Sequence, residues 1–307
     1  MDSNIPTKTG PFLKWAGGKT QLLSQFRMYY PPELKSGKIR RCVEPFLGGS
    51  AVFFDIAQRY QLDSAYLSDV NEELILVYSV VQRDPEKLID RLGELRRRYF
   101  ALDHVKREQF YYTTRSGYNE QRNKLNFNCY GDPWITRAAH MIFLNKTCYN
   151  GLYRVNSKGA FNVPFGRYKK PAILNENRIL EASRLLQIAE LAVGAYQECE
   201  RYVDDNTFVY FDPPYRPLSP TSNFTSYSIV KFDDEAQMGL GRFFRELDRS
   251  QARMMLSNSD PHNIDPSDSF FDDLYSGFQI HRVCANRMIN SDIGGRGKIS
   301  ELLISNY

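Results

Sequence analysis

An Asp-Pro-Pro-Tyr sequence at residues 212–215 directly follows the apolar residues 208–211, which predict a buried strand. The Asp212 carboxylate accepts hydrogen bonds, and neither Pro213 nor Pro214 carries a backbone N–H, so this strand end presents mostly acceptors. Tyr215 adds a flat ring. An amino group on a planar aromatic ring needs acceptors for its two N–H bonds and a face for stacking, and this sequence supplies both. The alternative is a plain turn, with Asp212 as its cap.

A glycine pair follows another predicted strand, within Glu44-Pro45-Phe46-Leu47-Gly48-Gly49-Ser50. Glycines between a strand and a helix let a ligand approach the backbone at the helix N-terminus, although a tight turn would also use them. Asp69 ends the next predicted strand, where an acidic side chain typically holds the hydroxyls of a ribose. The spacing is not that of a dinucleotide-binding loop, so these residues favour a nucleoside without a pyrophosphate.

A second glycine-containing motif, Lys14-Trp15-Ala16-Gly17-Gly18-Lys19, precedes the first predicted strand. Its end resembles a nucleotide phosphate loop, but the first glycine of that loop is missing at the required spacing. A tryptophan and a lysine beside glycines can instead hold an aromatic ring and a carboxylate of a ligand.

Basic charge is concentrated in the middle of the chain. The whole sequence has a formal net charge of +4, yet residues 86–180 contain 18 Lys and Arg against 8 Asp and Glu. Residues 133–175 contain no acidic residue and seven basic ones. A solvated face explains an ordinary charge run, but a stretch of this length without a carboxylate favours a polyanionic partner.

Aromatic side chains alternate with basic and amide side chains inside that stretch, at residues 148–156 and 161–170. Arg can contact guanine through two hydrogen bonds and Asn can do the same with adenine, while Lys and further Arg hold phosphates. An aromatic residue such as Tyr149 can insert where a base has left the stack. The alternative is an ordinary hairpin with solvated charges, and the sequence favours nucleic-acid recognition over it.

The bulk composition is that of a soluble globular protein with a sizeable core: 307 residues, of which 42% are hydrophobic and 25% charged. No apolar run approaches the ~20 residues that span a bilayer, and residues 1–10 lack the apolar segment of a signal peptide. We therefore expect a cytoplasmic protein without membrane contact. The five cysteines and four histidines are scattered and match no zinc site or disulfide framework, so we expect no metal.

Predicted strands and helices alternate over most of the chain. The strands lie at residues 40–46, 64–69, 208–212, 253–258, 279–285 and 301–307, and the helices at residues 50–60, 72–82, 175–188 and 233–248. This alternation is typical of a parallel, doubly wound α/β sheet. It breaks between residues 84 and 171, where residues 91–99 and 135–145 predict helices, and we interpret this region as an inserted domain. Residues 217–230 and 291–298 predict loops.

Together these motifs resemble a family of DNA N6-adenine methyltransferases, the Dam-like, GATC-recognising group of the D12 class. The resemblance covers residues 11–307, including residues 256–259 and 296–301, while residues 100–132 match no pattern. It implies a Rossmann-like class I methyltransferase sheet, formed by residues 1–83 and 172–307, that binds S-adenosylmethionine. It also implies that residues 84–171 form an inserted, mainly helical target-recognition domain.

The resemblance implies roles for three groups of residues. The catalytic residues would be Asp212, Pro213, Pro214 and Tyr215. The residues at the cofactor would be Trp15, Ala16, Gly17, Lys19, Glu44, Pro45, Phe46, Gly48, Gly49, Ser50, Asp69 and Asp212. The residues at the DNA would be Lys14, Tyr149, Asn150, Leu152, Arg154, Asn156, Pro164 and Arg167.

The implied reaction moves a methyl group from S-adenosylmethionine to N6 of an adenine that is flipped out of double-stranded DNA, within GATC. The resemblance allows a cognate restriction endonuclease as a partner, and we expect a monomer. An RNA adenine or a protein amide could meet the same chemistry, so RNA and protein N-methyltransferases are the alternatives, together with an inactive DNA-binding regulator. The glycine spacing argues against a nicotinamide dehydrogenase.

Overall fold

A computed structural model of the chain describes residues 10–216, 232–286 and 298–307. The chain divides into two compact units. The sheet unit consists of Gly17–Gly48, Tyr60–Asn71 and Ile188–Tyr307, and the helical unit of Met1–Ala16, Gly49–Arg59 and Glu72–Gln187. The loop predicted at residues 217–230 and residues 291–297 of the second predicted loop lie outside the described residues.

The strands of the described residues all belong to the sheet unit. They are β1 Arg41–Glu44, β2 Ser64–Asp69, β3 Ala189–Val193, β4 Thr207–Phe211, β5 Arg253–Ser259, β6 Gln279–Asn286 and β7 Lys298–Ser305. They form one seven-stranded sheet in the order β3-β2-β1-β4-β5-β7-β6. The first five strands in this order are parallel, whereas β7 is antiparallel to both β5 and β6.

The described residues contain ten α-helices. They are α1 Leu23–Tyr29, α2 Pro32–Ser36, α3 Ala51–Arg59, α4 Glu72–Arg83, α5 Pro85–Ala101, α6 His104–Arg122, α7 Asp132–Thr147, α8 Glu176–Leu186, α9 Asp234–Leu247 and α10 Phe270–Leu274. Helices α3 to α8 belong to the helical unit and the other four to the sheet unit. Several begin at a side-chain cap, as α9 does, where the Asp233 carboxylate accepts from the backbone N–H of Ala236 at 3.1 Å.

The core of the sheet unit explains why its strands appear in the sequence as apolar runs. Every residue of β4 is buried, since a parallel strand in the middle of a sheet is covered on both faces. Val209 and Phe211 of β4 pack with Val43 of β1 and with Phe244 of α9 in one hydrophobic cluster. Burial of each such side chain stabilises the fold by about 1.5–3 kcal/mol, which fixes the position of the strand end that follows Phe211.

The structure confirms the predicted α/β, Rossmann-like sheet, but the prediction of a wholly parallel sheet is wrong for its last two strands. Strands β6 and β7 pair antiparallel along their whole length, from Gln279 opposite Ser305 to Asn286 opposite Lys298. Only residues 287–297 separate them. Parallel neighbours need a crossover connection of about a dozen residues or more, so consecutive strands this close in sequence pair antiparallel.

Within the helical unit, α4 packs against α7 and α8, and α5 packs against the same two helices. Helices α5, α6 and α7 lie inside residues 84–171, while α3, α4 and α8 lie outside that range but in the same compact unit. The assignment of residues 84–171 as a separate recognition domain therefore stays a prediction.

A buried ion pair holds the helices of this unit together. Glu73 of α4 and Arg137 of α7 are each 1% exposed and form two hydrogen bonds, one of them 2.6 Å long. The Tyr118 hydroxyl of α6 donates to the same carboxylate at 3.1 Å, and Arg122 donates to it at 2.6 Å. Burial alone would lower the pKa of Arg137, but its hydrogen bonds to Glu73 and the charges of Glu73, Tyr118 and Tyr153 together raise it.

Candidate active site

The carboxyl ends of β1 and β4 lie side by side at the point where the chain order of the sheet reverses direction. In open α/β sheets, ligands bind at this switch point, outside the carboxyl ends of the strands. Residues 45–48 follow β1, and Asp212 follows β4. The topology therefore places both predicted motifs at the position where this class of sheet binds ligands.

Asp212 is held by two donors, both on one carboxylate oxygen. The Lys19 ammonium lies 2.7 Å from Oδ1, and the Ser257 hydroxyl donates to Oδ1 at 3.0 Å. The Tyr210 hydroxyl lies 2.8 Å from Ser257 Oγ and so supports the second donor. Within the described residues Oδ2 has no hydrogen-bond partner, and the Asp212 side chain is 23% exposed. One oxygen is thus fixed and the other is available to a ligand.

Of the two proline carbonyls that follow Asp212, one accepts a hydrogen bond from the described residues and the other does not. The Pro214 carbonyl accepts from Gln237 Nε2 at 3.0 Å, and Gln237 is held in turn by Asn258 Nδ2, which donates to its Oε1 at 3.0 Å. No donor among residues 10–216, 232–286 and 298–307 reaches the Pro213 carbonyl. Asp212 Oδ2 and the Pro213 carbonyl are therefore the two acceptors that this strand end offers.

Tyr215 is fixed at both its hydroxyl and its ring. The hydroxyl donates to Glu301 Oε2 at 2.6 Å, and the Lys19 ammonium lies 4.6 Å from the ring centroid, over one face. Burial and the nearby carboxylates of Glu301 and Asp212 raise the pKa of Tyr215 well above its ordinary value, so the hydroxyl stays protonated and donates.

Asp69 organises the turn after β1. One carboxylate oxygen accepts from the backbone N–H of Gly48 at 3.1 Å and the other from that of Asn71 at 2.9 Å. Gly48 has φ +46°, in the left-handed region that favours glycine. Burial raises the pKa of Asp69, and its remaining lone pairs can accept from hydroxyl groups. Glu44 and Pro45 are buried, and the half-buried Phe46 ring stacks on Tyr196 with centroids 5.4 Å apart.

Trp15, Gly49 and Ser50 belong to the helical unit. The Trp15 ring stacks on Tyr153 with centroids 5.4 Å apart and planes 21° apart. A Cβ atom at Gly49 would lie 3.4 Å from Trp15 Cβ, an ordinary contact distance, so the two residues are neighbours. Ser50 is buried with φ +51°, and Ala16 is half-buried.

The predicted DNA-binding residues are brought together on a short two-stranded segment of the helical unit, residues 148–168. Backbone bridges join Cys148 to Phe165 and Val155 to Phe161. Along this segment Tyr153, Phe161, Val163 and Phe165 are buried, and the predicted contact residues are exposed or half-buried. Exposed are Tyr149, Asn150, Asn156, Pro164 and Arg167, with Leu152 and Arg154 half-buried. Tyr149 is 55% exposed, which is unusual for a large aromatic side chain.

Three of these residues have contacts of their own. Arg154 Nε donates to Asn162 Oδ1 at 2.8 Å, a contact that orients the guanidinium without using its two terminal nitrogens. Asn156 Oδ1 accepts from the backbone N–H groups of Lys158 and Ala160, each at 3.0 Å, so this carbonyl closes the turn. Arg167 lies 3.8 Å from Glu108 but remains 71% exposed.

Lys14 is fixed beside this segment by Asn145, a 2%-exposed residue of α7. The backbone N–H of Lys14 donates to Asn145 Oδ1 at 2.9 Å, and Asn145 Nδ2 donates to the carbonyls of Lys14 and Gly151. Gly151 has φ +65°, and a Cβ there would lie 2.3 Å from Lys14 Cδ. Only glycine therefore fits at this position.

Comparison with known proteins identifies the family. A sequence model of the D12 class N6 adenine-specific DNA methyltransferases matches residues 15–289. The chain belongs to this family. It is 49% identical over 299 residues to "Type II methyltransferase M.MjaIII" of Methanocaldococcus jannaschii, covering 97% of this chain and 99% of that protein.

Two further relatives cover the same length. Identity is 37% over 300 residues with "Type II methyltransferase M1.LlaDCHI" of Lactococcus lactis subsp. cremoris, covering 97% of this chain and 95% of that one. Identity is 34% over 303 residues with "DNA adenine methylase" of Escherichia coli strain K12, covering 96% of this chain and 95% of that protein. D12 class methyltransferases use S-adenosylmethionine as methyl donor, which confirms the predicted cofactor and the methylation of adenine in DNA.

Four described side chains of the sheet unit contact residues 212–215 of this methyltransferase and were not predicted in that role: Ser257, Gln237, Glu301 and Lys19, the last as a partner of Asp212. The contact between Asn145 and Lys14, in the helical unit, was likewise not predicted. Asn145 is the last residue of the helix predicted at residues 135–145, and no local pattern marks its contact with Lys14. The described residues contain no group of three or more His, Cys, Asp or Glu arranged to hold a metal ion. None of the described helices has the length and apolar character needed to cross a membrane.

Proposed function

We propose that this methyltransferase modifies adenine within GATC in duplex DNA, after flipping the base out of the helix. The observation that carries the proposal is the pair of acceptors at the end of β4, Asp212 Oδ2 and the Pro213 carbonyl, beside the fixed ring of Tyr215. An exocyclic adenine amine presents two N–H donors in the plane of an aromatic base, so these groups match it in number and type. A base reaches such a site only outside the duplex stack.

The acceptors activate a poor nucleophile. The lone pair of the adenine amine is delocalised into the ring, and hydrogen bonds from its N–H groups to Asp212 and Pro213 favour the geometry in which the pair is localised on N6. S-adenosylmethionine would supply the methyl group from its sulfonium centre: the carbon–sulfur bond would break as the N6–carbon bond forms, leaving a neutral thioether. Positive charge grows on N6, and the Asp212 carboxylate stabilises it until one N6 proton leaves to solvent.

The proposed cofactor residues of the sheet unit fit the parts of this molecule. Asp69 would accept from the ribose hydroxyls with lone pairs that Gly48 and Asn71 leave unused. Lys19 would offer its ammonium to the carboxylate of the methionine portion, and Phe46 would supply an apolar ring. Gly17, Glu44, Pro45 and Gly48 shape the backbone there. Trp15, Ala16, Gly49 and Ser50 are also proposed as cofactor residues.

The exposed residues of the segment 148–168 are proposed to read the DNA. Tyr149 inserts at the vacated base position, Arg154 contacts a guanine edge, and Lys14 with Arg167 contacts the border of the site. Asn150, Leu152, Asn156 and Pro164 complete the surface. Residues 84–171 are proposed to act as the recognition domain, on duplex DNA and as a monomer; a cognate restriction endonuclease would cut the same sequence.

The test uses purified protein, cofactor labelled in its methyl group, and duplexes with one GATC site or with that site scrambled. We expect N6-methyladenine by mass spectrometry in the first duplex only, with resistance to a nuclease blocked by methylated GATC and cutting by one that requires it. Equal labelling of both duplexes would refute GATC specificity. Greater labelling of structured RNA would favour the RNA methyltransferase alternative.

Arg154→Ala is expected to relax sequence discrimination by about 1–3 kcal/mol, since a guanine-reading arginine is replaced by a side chain without donors. Initial methylation rates on GATC and on each singly substituted site measure the effect. Arg154→Lys is the matched control, because it keeps the charge but lacks the two parallel donors, and should relax discrimination almost as far. A loss of equal size on every sequence would show that Arg154 contacts phosphate.

DNA binding is expected to weaken between pH 7 and pH 9 through Lys146, in the last turn of α7. Burial, with the charges of Lys14 and Arg178, lowers the pKa of Lys146 to about 8. The ammonium is therefore charged at pH 7 and mostly neutral at pH 9. A nearby phosphate favours the charged form, so binding at pH 9 must first take up a proton, at a cost of about tenfold in affinity.

Fluorescence anisotropy at constant ionic strength measures how the affinity for DNA changes between pH 7 and pH 9. Lys146→Arg keeps its charge at every pH and is expected to flatten the profile. Lys170→Arg, at an exposed lysine of the same unit, is expected to leave it unchanged. Parallel profiles for the wild type and Lys146→Arg would exclude Lys146 as a phosphate contact.

A further inference from the structure

The proposed function uses Tyr215 as a stacking surface but gives no role to the carboxylate that its hydroxyl contacts. The Tyr215 hydroxyl lies 2.6 Å from Glu301 Oε2, and both side chains are half-buried. A hydrogen bond from a hydroxyl to an ionised carboxylate, at this length, belongs to the strong, charge-assisted class. Glu301 lies 86 positions further along the chain, on β7, so this contact joins two distant parts of the sheet.

The backbone next to Glu301 is fixed through Ser300, whose N–H and carbonyl both bond to Asn263. The Ser300 N–H donates to Asn263 Oδ1 at 2.9 Å, and Asn263 Nδ2 donates back to the Ser300 carbonyl at 2.7 Å. The Ser300 hydroxyl donates at 2.6 Å to Asp260, which is fully buried. Glu301 itself pairs with Ser259 of β5. The carboxylate that meets Tyr215 is therefore carried by a rigid strand, not by a free side chain at the surface.

The charges around the two residues are arranged to hold the ring in place. Lys19 lies 4.6 Å from the Tyr215 centroid and 2.7 Å from Asp212, so one ammonium serves the ring face and the catalytic carboxylate. Burial raises the pKa of Glu301, the charge of Lys19 and the Tyr215 hydrogen bond oppose the increase, and Asp212 adds to it. Among the described residues Tyr210 also faces them, and its pKa is raised by burial and by the charges of Asp212, Glu44 and Glu301.

We propose that Glu301 is a positioning residue, which fixes the Tyr215 ring through its hydroxyl so that the face opposite Lys19 receives the target adenine. The proposal rests on the proposed function. A tyrosine ring has two rotatable bonds, and the hydrogen bond to Glu301 restrains both. Without it the ring keeps its stacking area but loses its fixed orientation, so the adenine amine is less often aligned with Asp212.

The test combines Tyr215→Phe, which removes only the hydroxyl, with Glu301→Gln, which keeps the shape and removes the charge. Each is expected to lower kcat about tenfold while KM for S-adenosylmethionine stays within about twofold. Glu301→Gln leaves a weaker, neutral acceptor, whereas Tyr215→Phe removes the hydrogen bond altogether. The double variant should therefore be no slower than Tyr215→Phe, because both changes act on the same charge-assisted hydrogen bond. Glu200→Gln, at an exposed glutamate of the same unit, is the matched control. Thermal melting checks that each variant folds.

Two further readouts separate positioning from a structural role. With 2-aminopurine at the target position, both variants should show brighter fluorescence than the wild type, since a base stacked on a fixed ring is quenched. In the wild type, protonation of Glu301 is expected to lower kcat at low pH. This decline should be absent from Glu301→Gln. Wild-type kcat and fluorescence in both variants, or fully additive losses, would overturn the proposal. A wild type that methylates no adenine in DNA would instead overturn the proposed function.

Discussion

Asp212→Asn is expected to lower kcat by about 10²- to 10³-fold while S-adenosylmethionine and DNA still bind. The asparagine occupies the same space, and its carbonyl oxygen can still accept from Lys19 and Ser257. What it loses is the negative charge next to the amine on which positive charge develops, together with one of the two acceptors for the N6 hydrogens. The effect should therefore appear in the chemical step, measured by single-turnover methylation.

The choice of asparagine matters because Lys19 is only 3% exposed and lies 2.7 Å from Asp212. Asp212→Ala would abolish activity, but it would also leave a buried ammonium without its salt-bridge partner and so destabilise the sheet unit. Asp205→Asn, at an exposed aspartate just before β4, is the matched control and should retain full activity. If Asp212→Asn transfers methyl at more than a tenth of the wild-type rate, Asp212 is not the catalytic carboxylate.

The sequence could predict the parts of the fold whose signal is local. The predicted strand at residues 64–69 coincides with β2, and the predicted helix at residues 72–82 differs from α4 by one residue, because buried apolar periodicity marks both. Strand β3 was missed since it lies at the sheet edge and none of its residues is fully buried. Helix α6 was missed because its buried residues, Tyr111, Thr114 and Tyr118, have helical spacing but each carries a hydroxyl, so they give only a weak apolar signal.

In the candidate site, too, only the residues with a local sequence signal could be predicted. Asp212, Pro213 and Tyr215 could be predicted because their chemistry lies in one short sequence after an apolar strand. Their supporting partners could not, since Ser257 lies 45 positions from Asp212, and sheet order alone brings their strands together. No spacing in the sequence carries that information, which depends on β5 pairing beside β4.

The largest expected effect on stability comes from Glu73 in the helical unit. Its carboxylate is almost inaccessible and binds Arg137, Arg122 and the Tyr118 hydroxyl. Glu73→Ala leaves the Arg137 guanidinium buried without a counter-charge, for which we expect a loss of about 3–5 kcal/mol in the free energy of unfolding. Urea unfolding followed by circular dichroism measures the change.

The neighbouring Glu72 supplies the matched control, because it pairs with the same Arg122 at 2.6 Å but its side chain is 35% exposed. Glu72→Gln is expected to cost at most about 1 kcal/mol, since solvent screens this pair. The double variant Glu73→Leu with Arg137→Leu removes both buried charges and should recover part of the loss, because no unpaired charge remains. A Glu73→Ala effect no larger than that of Glu72→Gln would mean that water or another carboxylate reaches Arg137, and that the buried pair does not hold α4, α6 and α7 together.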